Sequence, residues 1–222
     1  MPTRLCVIIP VLNEAGRIVA TLAALAPLRA QGAELIVVDG GSSDGTPALC
    51  AGLVDVVLAS PPGRATQMNA GARAACASTL LFLHADTTLP ADALALIMQA
   101  REPWGRFDVT IAGRSALLPL VAALMNLRSR LTGIATGDQA VFVRRDVFDA
   151  VGGYPEQPLM EDIELSKRLR RRGRPACLRA RVTTSGRHWD SRGAWRTIVL
   201  MWRLRLLYWL GVPAERLAAA YR

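Results

Sequence analysis

The sequence predicts an α/β fold built on a mainly parallel sheet. Three apolar segments, 5–12, 34–39 and 79–83, each run into a polar residue followed by a turn or helix signal. Strands buried in a parallel sheet have this continuous apolar character, and open α/β sheets bind ligands beyond the carboxyl ends of such strands. With 222 residues, 51% of them hydrophobic, the chain can bury the core of one domain and does not require a second.

The first half of the chain alternates between strand and helix patterns. This alternation is typical of βα units that form a parallel sheet. Asn13 is a candidate cap for the first helix, and Pro90 lies near the start of the fourth. The strands are predicted near 5–12, 34–39, 54–58 and 79–83, and the helices near 14–26, 46–51, 64–76 and 91–101.

After Pro103 the alternation becomes less regular. No flexible linker, repeat or low-complexity tract separates this part from the first, so we predict one domain over 1–222 with halves at 1–102 and 103–190 and a helical segment at 191–222. The predicted elements are strands near 107–113, 139–144 and 176–184 and helices near 117–131, 161–172 and 192–210.

Glu14, Asp39 and Asp86 each follow a predicted strand. Because parallel strands end at the same edge of a sheet, these carboxylates are expected to lie along one edge. The glycine-rich segment 40–45 after the second strand lets a ligand approach the backbone. The pattern predicts a nucleotide site, although a strand, an acid and a turn also occur together as ordinary turn chemistry.

The net charge of +9, from 27 basic and 18 acidic residues, favours an anionic partner. No aromatic stacking platform or recognition-helix motif accompanies this charge, which argues against nucleic acid. Phosphate groups of a nucleotide ligand or anionic lipid headgroups suit the arginines better. The block 167–174 is explained equally well as a basic helix end that complements the helix dipole.

The chain is expected to be cytoplasmic and not an integral multi-span protein. Its four cysteines show no CxxC spacing and are interpreted as reduced thiols, most of them buried. Pro10 and Glu14 interrupt the first apolar run, which is interpreted as a strand and not a signal peptide. No apolar stretch reaches the roughly 18 residues that a membrane-spanning helix needs.

The final helix combines arginines and tryptophans. On a helical wheel the arginines share one face, an arrangement suited to the inner membrane surface with arginines reaching lipid headgroups. Packing of the same helix on its own domain or on a second subunit, which would make a homo-oligomer, is the alternative. The residues concerned are Arg192, Arg196 and Arg203 with Trp195, Trp202 and Trp209.

Together these motifs resemble the family 2 glycosyltransferases, which have a GT-A fold. In detail they are similar to a small bacterial subgroup named for its association with radical-SAM and selenodomain genes. The resemblance implies inverting transfer of a sugar from a nucleoside-diphosphate sugar to an acceptor hydroxyl, with 1–102 as the nucleotide-binding half and 103–190 as the acceptor half. The acceptor itself is unknown, and lipid or polyprenyl phosphates are common in the family. The residues that resemble the family are 10–14, 38–46, 63–71, 84–86, 151–154 and 161–162.

The resemblance implies a donor site at the ends of the first strands. Asp39 matches the nucleobase-contacting acid of the family, with Glu14 and the backbone after Pro10 beside it. Glu14 is explained nearly as well as an acid in the first turn of a helix. Arg64 and Asn69 match a segment that lies beside the nucleotide, with ordinary solvated helix residues as the alternative.

A divalent metal, Mg²⁺ or Mn²⁺, is implied at the segment His84-Ala85-Asp86, which matches the DxD motif of the family. Asp86 would bind the ion beside the diphosphate. His84 stands where the first acid is usual, and because hard ions prefer oxygen we favour a strand-end histidine touching ribose over a metal ligand. Arg187 and His188 are a candidate phosphate clamp and a candidate metal ligand, or equally part of a surface loop.

Asp162 and Glu161 are the implied catalytic pair, with Asp162 as the general base and Glu161 as its supporting neighbour. Capping of a helix by Asp162 is the structural alternative. Gly137-Asp138-Gln139 lines the acceptor side or forms a simple turn. Two other functions are alternatives. A nucleotidyltransferase would have a glycine-rich loop with arginine and lysine directly after the first strand. A non-catalytic basic membrane protein would not need these acids.

Overall fold

A computed structural model of the protein describes residues 4–221, with side chains described throughout that range except at 188, 191, 192, 194 and 221. One sheet of eight strands runs through it in the order β3-β2-β1-β4-β7-β6-β8-β5. The strands are β1 Leu5–Val11, β2 Glu34–Asp39, β3 Val56–Ala59, β4 Thr79–Phe82, β5 Thr87–Thr88, β6 Trp104–Ala112, β7 Val141–Arg144 and β8 Ala176–Ser185.

Helices cover both faces of the sheet, and a short 3-10 turn over Gly137–Gln139 precedes β7. The helices are α1 Ile18–Ala30, α2 Thr46–Cys50, α3 Arg64–Ala74, α4 Ala93–Gln99, α5 Leu118–Thr132, α6 Arg145–Ala150, α7 Glu161–Arg170, α8 Arg187–Arg192, α9 Ala194–Trp209 and α10 Ala214–Tyr221.

The first four strands in the sheet order are parallel. β1 lies at their centre, with β2 on one side and β4 on the other, and Val11 at its carboxyl end is opposite Asp39. β3 extends the parallel part beyond β2. The residues that follow β1, β2 and β4 therefore share one edge of the sheet, as the sequence predicted.

The second half of the chain completes the same sheet. β7 is antiparallel to both β4 and β6, β8 is parallel to β6, and β5 is antiparallel to β8 at the edge. Because β7 lies between β4 and β6, the two predicted halves share one hydrogen-bonded layer.

The core consists of two apolar layers, one on each face of the sheet. Alternate residues of β1 point to opposite layers: Leu5, Val7 and Ile9 to one, Cys6 and Ile8 to the other. Such a strand must be apolar at nearly every position, which explains its uninterrupted hydrophobic sequence. α1, α4 and α5 cover the first face, while α3, α6 and α7 cover the second.

One boundary prediction was wrong, and the loop after β1 explains why. α1 begins at Ile18 and not near residue 14, with Arg17 at its cap position and no side-chain cap. Asn13 has φ of 55°, and its amide oxygen accepts a hydrogen bond from the Ser43 N–H at 2.9 Å. Asn13 is therefore bound to the loop after β2 and cannot cap α1.

A buried ionic cluster joins β6 to α5. Arg106 is fully buried and pairs with Asp108, while its Nε donates to the Ser129 hydroxyl at 3.0 Å. Arg130 binds the other oxygen of Asp108 at 2.5 Å. Buried charges require such partners, so this cluster holds α5 in a definite position against the sheet.

The C-terminal helices pack beside the start of α7. Leu204 of α9 and Leu217 of α10 form a small apolar cluster with Met160 and Ile163. None of the described helices is long and apolar enough to cross a membrane.

Candidate active site

The loops after β1 and β2 are tied together by their own polar groups. The Asn13 N–H donates to the Ser42 hydroxyl at 2.8 Å, and the Glu14 N–H donates to the Thr46 hydroxyl at 2.9 Å. The Ala15 N–H donates to Asp44 at 2.9 Å. This network places the two segments with the strongest sequence motifs side by side at the edge of the sheet.

The side chain of Gln67 in α3 supports the same edge of the sheet. Its buried side-chain amide donates to the carbonyls of Val11 and Val38, both at 2.8 Å. Gly40 passes over this side chain, and a Cβ at that position would lie 3.1 Å from the Gln67 amide. Gln67 therefore sets the spacing between the ends of β1 and β2.

Asp39 presents a buried acceptor atom at this edge. Its Oδ2 accepts the Gly41 and Ser42 N–H groups, each at 3.0 Å. Its Oδ1 is buried and has no hydrogen-bond partner within residues 4–221. A buried carboxylate oxygen left without a donor is costly, so this atom is suited to receive an N–H or O–H from a ligand.

Glu14 and Asp86 lie near each other in the structure. Burial raises the pKa of Glu14, the Arg17 charge lowers it, and the charges of Asp86 and Asp44 raise it further. Arg17 pairs directly with Glu14 at 2.8 Å, and the Arg64 charge also acts on it. The edge therefore holds two carboxylates with arginines close by, as a site for a phosphorylated ligand and a cation would.

Both ring nitrogens of His84 lie close to other protein groups. Its Nδ1 lies 3.3 Å from Asp138 Oδ1, and a Cβ on Gly137 would come within 2.4 Å of its Nε2. Burial disfavours the charged form of Asp138, but the His84 hydrogen bond and charge prevail and lower the pKa of Asp138. These contacts support the interpretation of His84 as a satisfied strand-end histidine.

Asp86 can supply an oxygen ligand to a metal ion at this point. Mg²⁺ in phosphate-transfer sites is commonly bound by one or two carboxylates together with substrate phosphates and water, so the residues present fit an ion held largely by a diphosphate. Within the described side chains, no three His, Cys, Asp or Glu residues are grouped closely enough to hold a metal ion on their own.

Arg187 lies beside Asp86, as the phosphate-clamp prediction requires. Its guanidinium is 4.0 Å from Asp86 Oδ2 and donates to the Ser185 hydroxyl at 3.2 Å. The predicted metal ligand His188 follows it in α8, but the His188 side chain lies outside the described residues.

The acidic pair begins α7 at the same site. The cap position of α7 is Met160, with φ of 64° and no side-chain cap, so Asp162 does not cap this helix. Asp162 Oδ2 accepts the Gly137 N–H at 3.0 Å, and its Oδ1 accepts its neighbour Ile163 N–H at 2.7 Å. Glu161 is buried beside it, and burial followed by the Asp162 charge raises the Glu161 pKa.

Three predicted donor-site residues have structural contacts. Asn69 exchanges two hydrogen bonds with the Tyr154 backbone, at 2.8 and 2.9 Å, and thereby binds the Gly152–Tyr154 turn to α3. The carbonyl of Ala85 accepts the Thr21 hydroxyl at 2.6 Å. Pro10 lies within β1 opposite Val38. None of these contacts involves a ligand, and nucleotide contact by these three residues stays a prediction.

Two arginines of the site were not singled out from the sequence. The charges of Arg128 on α5 and Arg205 on α9 both act on Asp162. Arg128 has Leu127 before it and Ser129 and Arg130 after it, and Arg205 lies between Leu204 and Leu206 with Arg203 nearby. The local sequence therefore did not distinguish these two arginines from their neighbours, because which of them faces the site depends on how the helices pack.

Residues 6–112 match the model described as Glycosyl transferase family 2. No curated protein gives a significant match to the chain. Similar solved structures include S. aureus TarS in complex with UDP, with a TM-score of 0.67 and 20% identity over 82% of this chain and 60% of that one. The chain thus spans less than two thirds of the TarS structure.

Two further solved structures have the same fold. The mannosyltransferase PcManGT from Pyrobaculum calidifontis, solved with GDP-Man and Mn²⁺, has a TM-score of 0.64 and 22% identity over 82% of this chain and 57% of that one. Glucosyl-3-phosphoglycerate synthase from Mycobacterium tuberculosis, solved with Mn²⁺, UDP and glucosyl-3-phosphoglycerate, has a TM-score of 0.60 and 20% identity over 82% of this chain and 71% of that one. The fold is GT-A, and the matched segment, just under half of the chain, resembles the family 2 glycosyltransferases.

Proposed function

We propose that the protein transfers a sugar from a nucleoside-diphosphate sugar to an acceptor hydroxyl, with inversion at the anomeric carbon. The observation that supports this most directly is the buried Oδ1 of Asp39, which has no partner among the described residues. The atom lies beyond the carboxyl end of β2, beside a glycine-containing loop, where α/β folds bind nucleotides. A nucleobase N–H is a donor that would satisfy it.

The diphosphate would lie between Asp39 and Asp86. Arg64 at the start of α3 and Arg187 beside Asp86 supply positive charge for its oxygens. Asp86 would hold Mg²⁺ or Mn²⁺, which supplies charge stabilisation to the departing diphosphate when bound. TarS, PcManGT and the mycobacterial synthase, solved with UDP or GDP-Man and in two cases Mn²⁺, support this assignment by fold.

Asp162 is proposed as the general base. Its two oxygens are oriented by the Gly137 and Ile163 N–H groups, and each retains an acceptor direction for the acceptor hydroxyl proton. Glu161 beside it has a raised pKa because it is buried next to this carboxylate. A protonated Glu161 would reduce the like-charge repulsion that Asp162 experiences.

The exposed face of α9 is proposed to bind an anionic membrane surface. Its apolar side chains follow a helical repeat, and Trp202 and Trp209 are 70% and 78% exposed. Exposed Arg196 and Arg203 lie along one flank of this stripe. A solvent-facing stripe of tryptophans flanked by arginines is typical of interfacial helices, and it would bring the site close to lipid-linked acceptors. The stripe consists of Trp195, Val199, Trp202, Leu206 and Trp209.

Titration calorimetry with UDP and GDP, each with and without Mn²⁺, tests the donor site. Asp39→Asn should lower nucleotide affinity at least tenfold. The asparagine NH₂ group replaces one carboxylate oxygen, so it must face either the N–H groups of Gly41 and Ser42 or the donor group of the ligand. Asp55→Asn is the matched control, since Asp55 binds the Leu35 N–H near the other end of β2. Unchanged affinity in Asp39→Asn would remove the nucleobase assignment.

A turnover assay tests the catalytic base. After nucleotide sugars are screened for activity, Asp162→Asn should lower turnover by roughly 10²-fold while nucleotide affinity is retained. Glu164→Gln, two residues further along α7, controls for changes to the helix, and a melting curve shows that each variant is folded. Turnover at the wild-type rate would show that Asp162 has only the structural role of binding the Gly137 N–H.

A further inference from the structure

Arg128 is a half-buried cation without an ion pair among the described residues. Its Nε and Nη2 are shielded from solvent and have no hydrogen-bond partner in the described part of the chain. Burial, with a smaller contribution from the Arg205 charge, lowers the pKa of Arg128 to about 10, so it remains charged at neutral pH. Native proteins rarely leave a buried charge in this state, because desolvation without compensation is costly.

Arg205 lies close enough to act on Arg128 and is also unpaired. Between residues 4 and 221, no described group makes a hydrogen bond or an ion pair within 4.0 Å with its side chain. Burial lowers the pKa of Arg205, while the more distant charges of Asp162 and Asp138 raise it. Two guanidinium groups therefore occupy the same region with no anion in contact.

Two other arginines of the same region do have ion-pair partners. Arg106 is paired with Asp108 and bound by Ser129, and Arg130 is paired with the same carboxylate. The fold therefore supplies partners to two arginines of the β6–α5 layer and supplies none to Arg128.

The unpaired arginines lie on the acceptor side of the site. Their charges act on Asp162, the proposed base, whereas the arginine charges that act on Glu14 at the donor edge are those of Arg17 and Arg64. Arg64 and Arg205 both act on Asp138, so an anion held by Arg128 and Arg205 would adjoin the donor edge on the side of the proposed base.

We propose that Arg128 and Arg205 form a binding site for a phosphomonoester group of the acceptor, which positions the acceptor beside Asp162. This inference rests on the proposed sugar transfer and specifies the class of acceptor. Two guanidinium groups match the charge of a phosphate dianion, and their planar N–H pairs fit its oxygens in bidentate fashion. A carboxylate would neutralise only one of them.

Both helices that supply these arginines also have exposed apolar faces. α9 has the tryptophan stripe described above, and α5 exposes leucines at a helical repeat. A phosphate attached to a hydrocarbon chain could therefore place its head at the arginines and its chain on these faces, whereas a soluble phosphomonoester would use the arginines alone. The α5 leucines are Leu120, Leu124, Leu127 and Leu131, which are 57%, 49%, 52% and 78% exposed.

Calorimetric titration of inorganic phosphate into the full protein saturated with UDP and Mn²⁺ tests the site. We expect phosphate to bind, and Arg128→Gln and Arg205→Gln each to weaken it at least tenfold while UDP affinity changes less than twofold. Arg216→Gln, at an exposed arginine of the neighbouring helix α10, is the matched control and should change neither affinity. UDP binding without phosphate binding would overturn the acceptor site and leave the donor site intact.

Arg128→Met gives a second measurement that does not depend on turnover. Replacing an unpaired half-buried charge with an apolar side chain of similar length should raise the melting temperature in phosphate-free buffer. The same variant should lose the thermal stabilisation that phosphate gives to the wild type. A lower melting temperature together with retained stabilisation by phosphate would overturn the proposal.

Geranyl phosphate and glycerol 3-phosphate distinguish the source of the phosphate. At least tenfold tighter binding of geranyl phosphate indicates that the acceptor, besides its phosphate and the hydroxyl that receives the sugar, carries a hydrocarbon chain that uses the apolar faces. Equal binding of the two, still sensitive to Arg128→Gln, indicates a soluble phosphomonoester. Geraniol and glycerol are the controls without phosphate, and if they bind as well as their phosphates the arginine site is excluded.

Discussion

Asn13 shows how one residue determines the shape of the donor edge. It adopts a left-handed conformation with φ of 55° and joins the loop after β1 to Ser42 and Ser43. Asparagine tolerates this conformation better than other non-glycine residues and supplies the acceptor for the Ser43 N–H. The helix-capping prediction considered only its local sequence, whereas the partner that it binds is 30 residues away.

Asn13→Ala should lower the free energy of unfolding by about 1–2 kcal/mol. Alanine is strained in the left-handed conformation, and the side-chain hydrogen bond is lost. Asn13→Gly should lower it less, because glycine removes the backbone cost and loses only the side-chain contact. Asn13→Asp keeps the acceptor and serves as the control. Urea denaturation at neutral pH measures all three, and equal losses for alanine and glycine would show that the backbone conformation contributes nothing.

The pKa shift of Glu161 predicts a pH-dependent stability. Burial and the Asp162 charge raise this pKa above its ordinary value of 4.5, so the folded state holds this proton more tightly than the unfolded state does. The stabilisation of the folded state by this proton is fully present below pH 4.5 and is lost as the pH rises through the folded-state pKa. Glu161→Gln, which keeps the neutral form, should therefore gain stability relative to the wild type as the pH increases.

Urea denaturation of the wild type and Glu161→Gln across pH 4 to 8 would measure this difference. Glu156→Gln is a control at an exposed glutamate in the loop before α7. A difference between Glu161→Gln and the wild type that stays constant over this range would contradict the raised pKa.

At the level of single elements, α9 shows what periodicity predicts and what it leaves open. The predicted helix at 192–210 agrees closely with Ala194–Trp209. The structure buries Leu204 and Thr197 on one face and exposes the tryptophan stripe on the opposite face, so packing on the domain accounts for one side of the helix. Arg205 turns toward the active site, which no wheel diagram of an isolated helix could show.

Trp202→Gln and Trp209→Gln should reduce co-sedimentation with acidic liposomes several-fold if the exposed stripe enters the membrane interface. High salt should weaken wild-type binding, because attraction between exposed charges is screened over about 8 Å at physiological ionic strength. UDP affinity should not change, since both tryptophans are largely exposed and neither is among the proposed donor-site residues. Binding insensitive to salt and to both substitutions would contradict the proposal, and self-association measured by ultracentrifugation would then identify the stripe as a subunit interface.

At the level of the whole molecule, the position of β7 predicts cooperative unfolding. Neither predicted half can complete its sheet alone, because β7 of the second half lies between β4 and β6. Far-ultraviolet circular dichroism reports on the whole sheet, whereas tryptophan fluorescence reports mainly on Trp104 and the C-terminal helices. The two urea transitions should coincide. A separate fluorescence transition at lower urea would show that α8–α10 unfold as an independent unit.

The sequence by itself predicted most of the elements and the edge of the sheet at which the acids lie, but not the short elements β5, α6, α8 and α10. Glu14, Asp39 and Asp86 follow strands whose apolar character is set by burial on both faces, and strand order then places them together. The same local patterns predicted α7, with the acidic pair at its start, and the helix α9.

Only the tertiary structure decided which polar groups find partners. It bound Asn13 to Ser43 and Asn69 to Tyr154, and it left Asp39 Oδ1 and Arg128 unpaired within the described chain. Hydrogen bonding and desolvation depend on distances between segments that are far apart in sequence, and no local pattern records those distances. The unpaired atoms are therefore the information about ligands that the fold adds to the sequence.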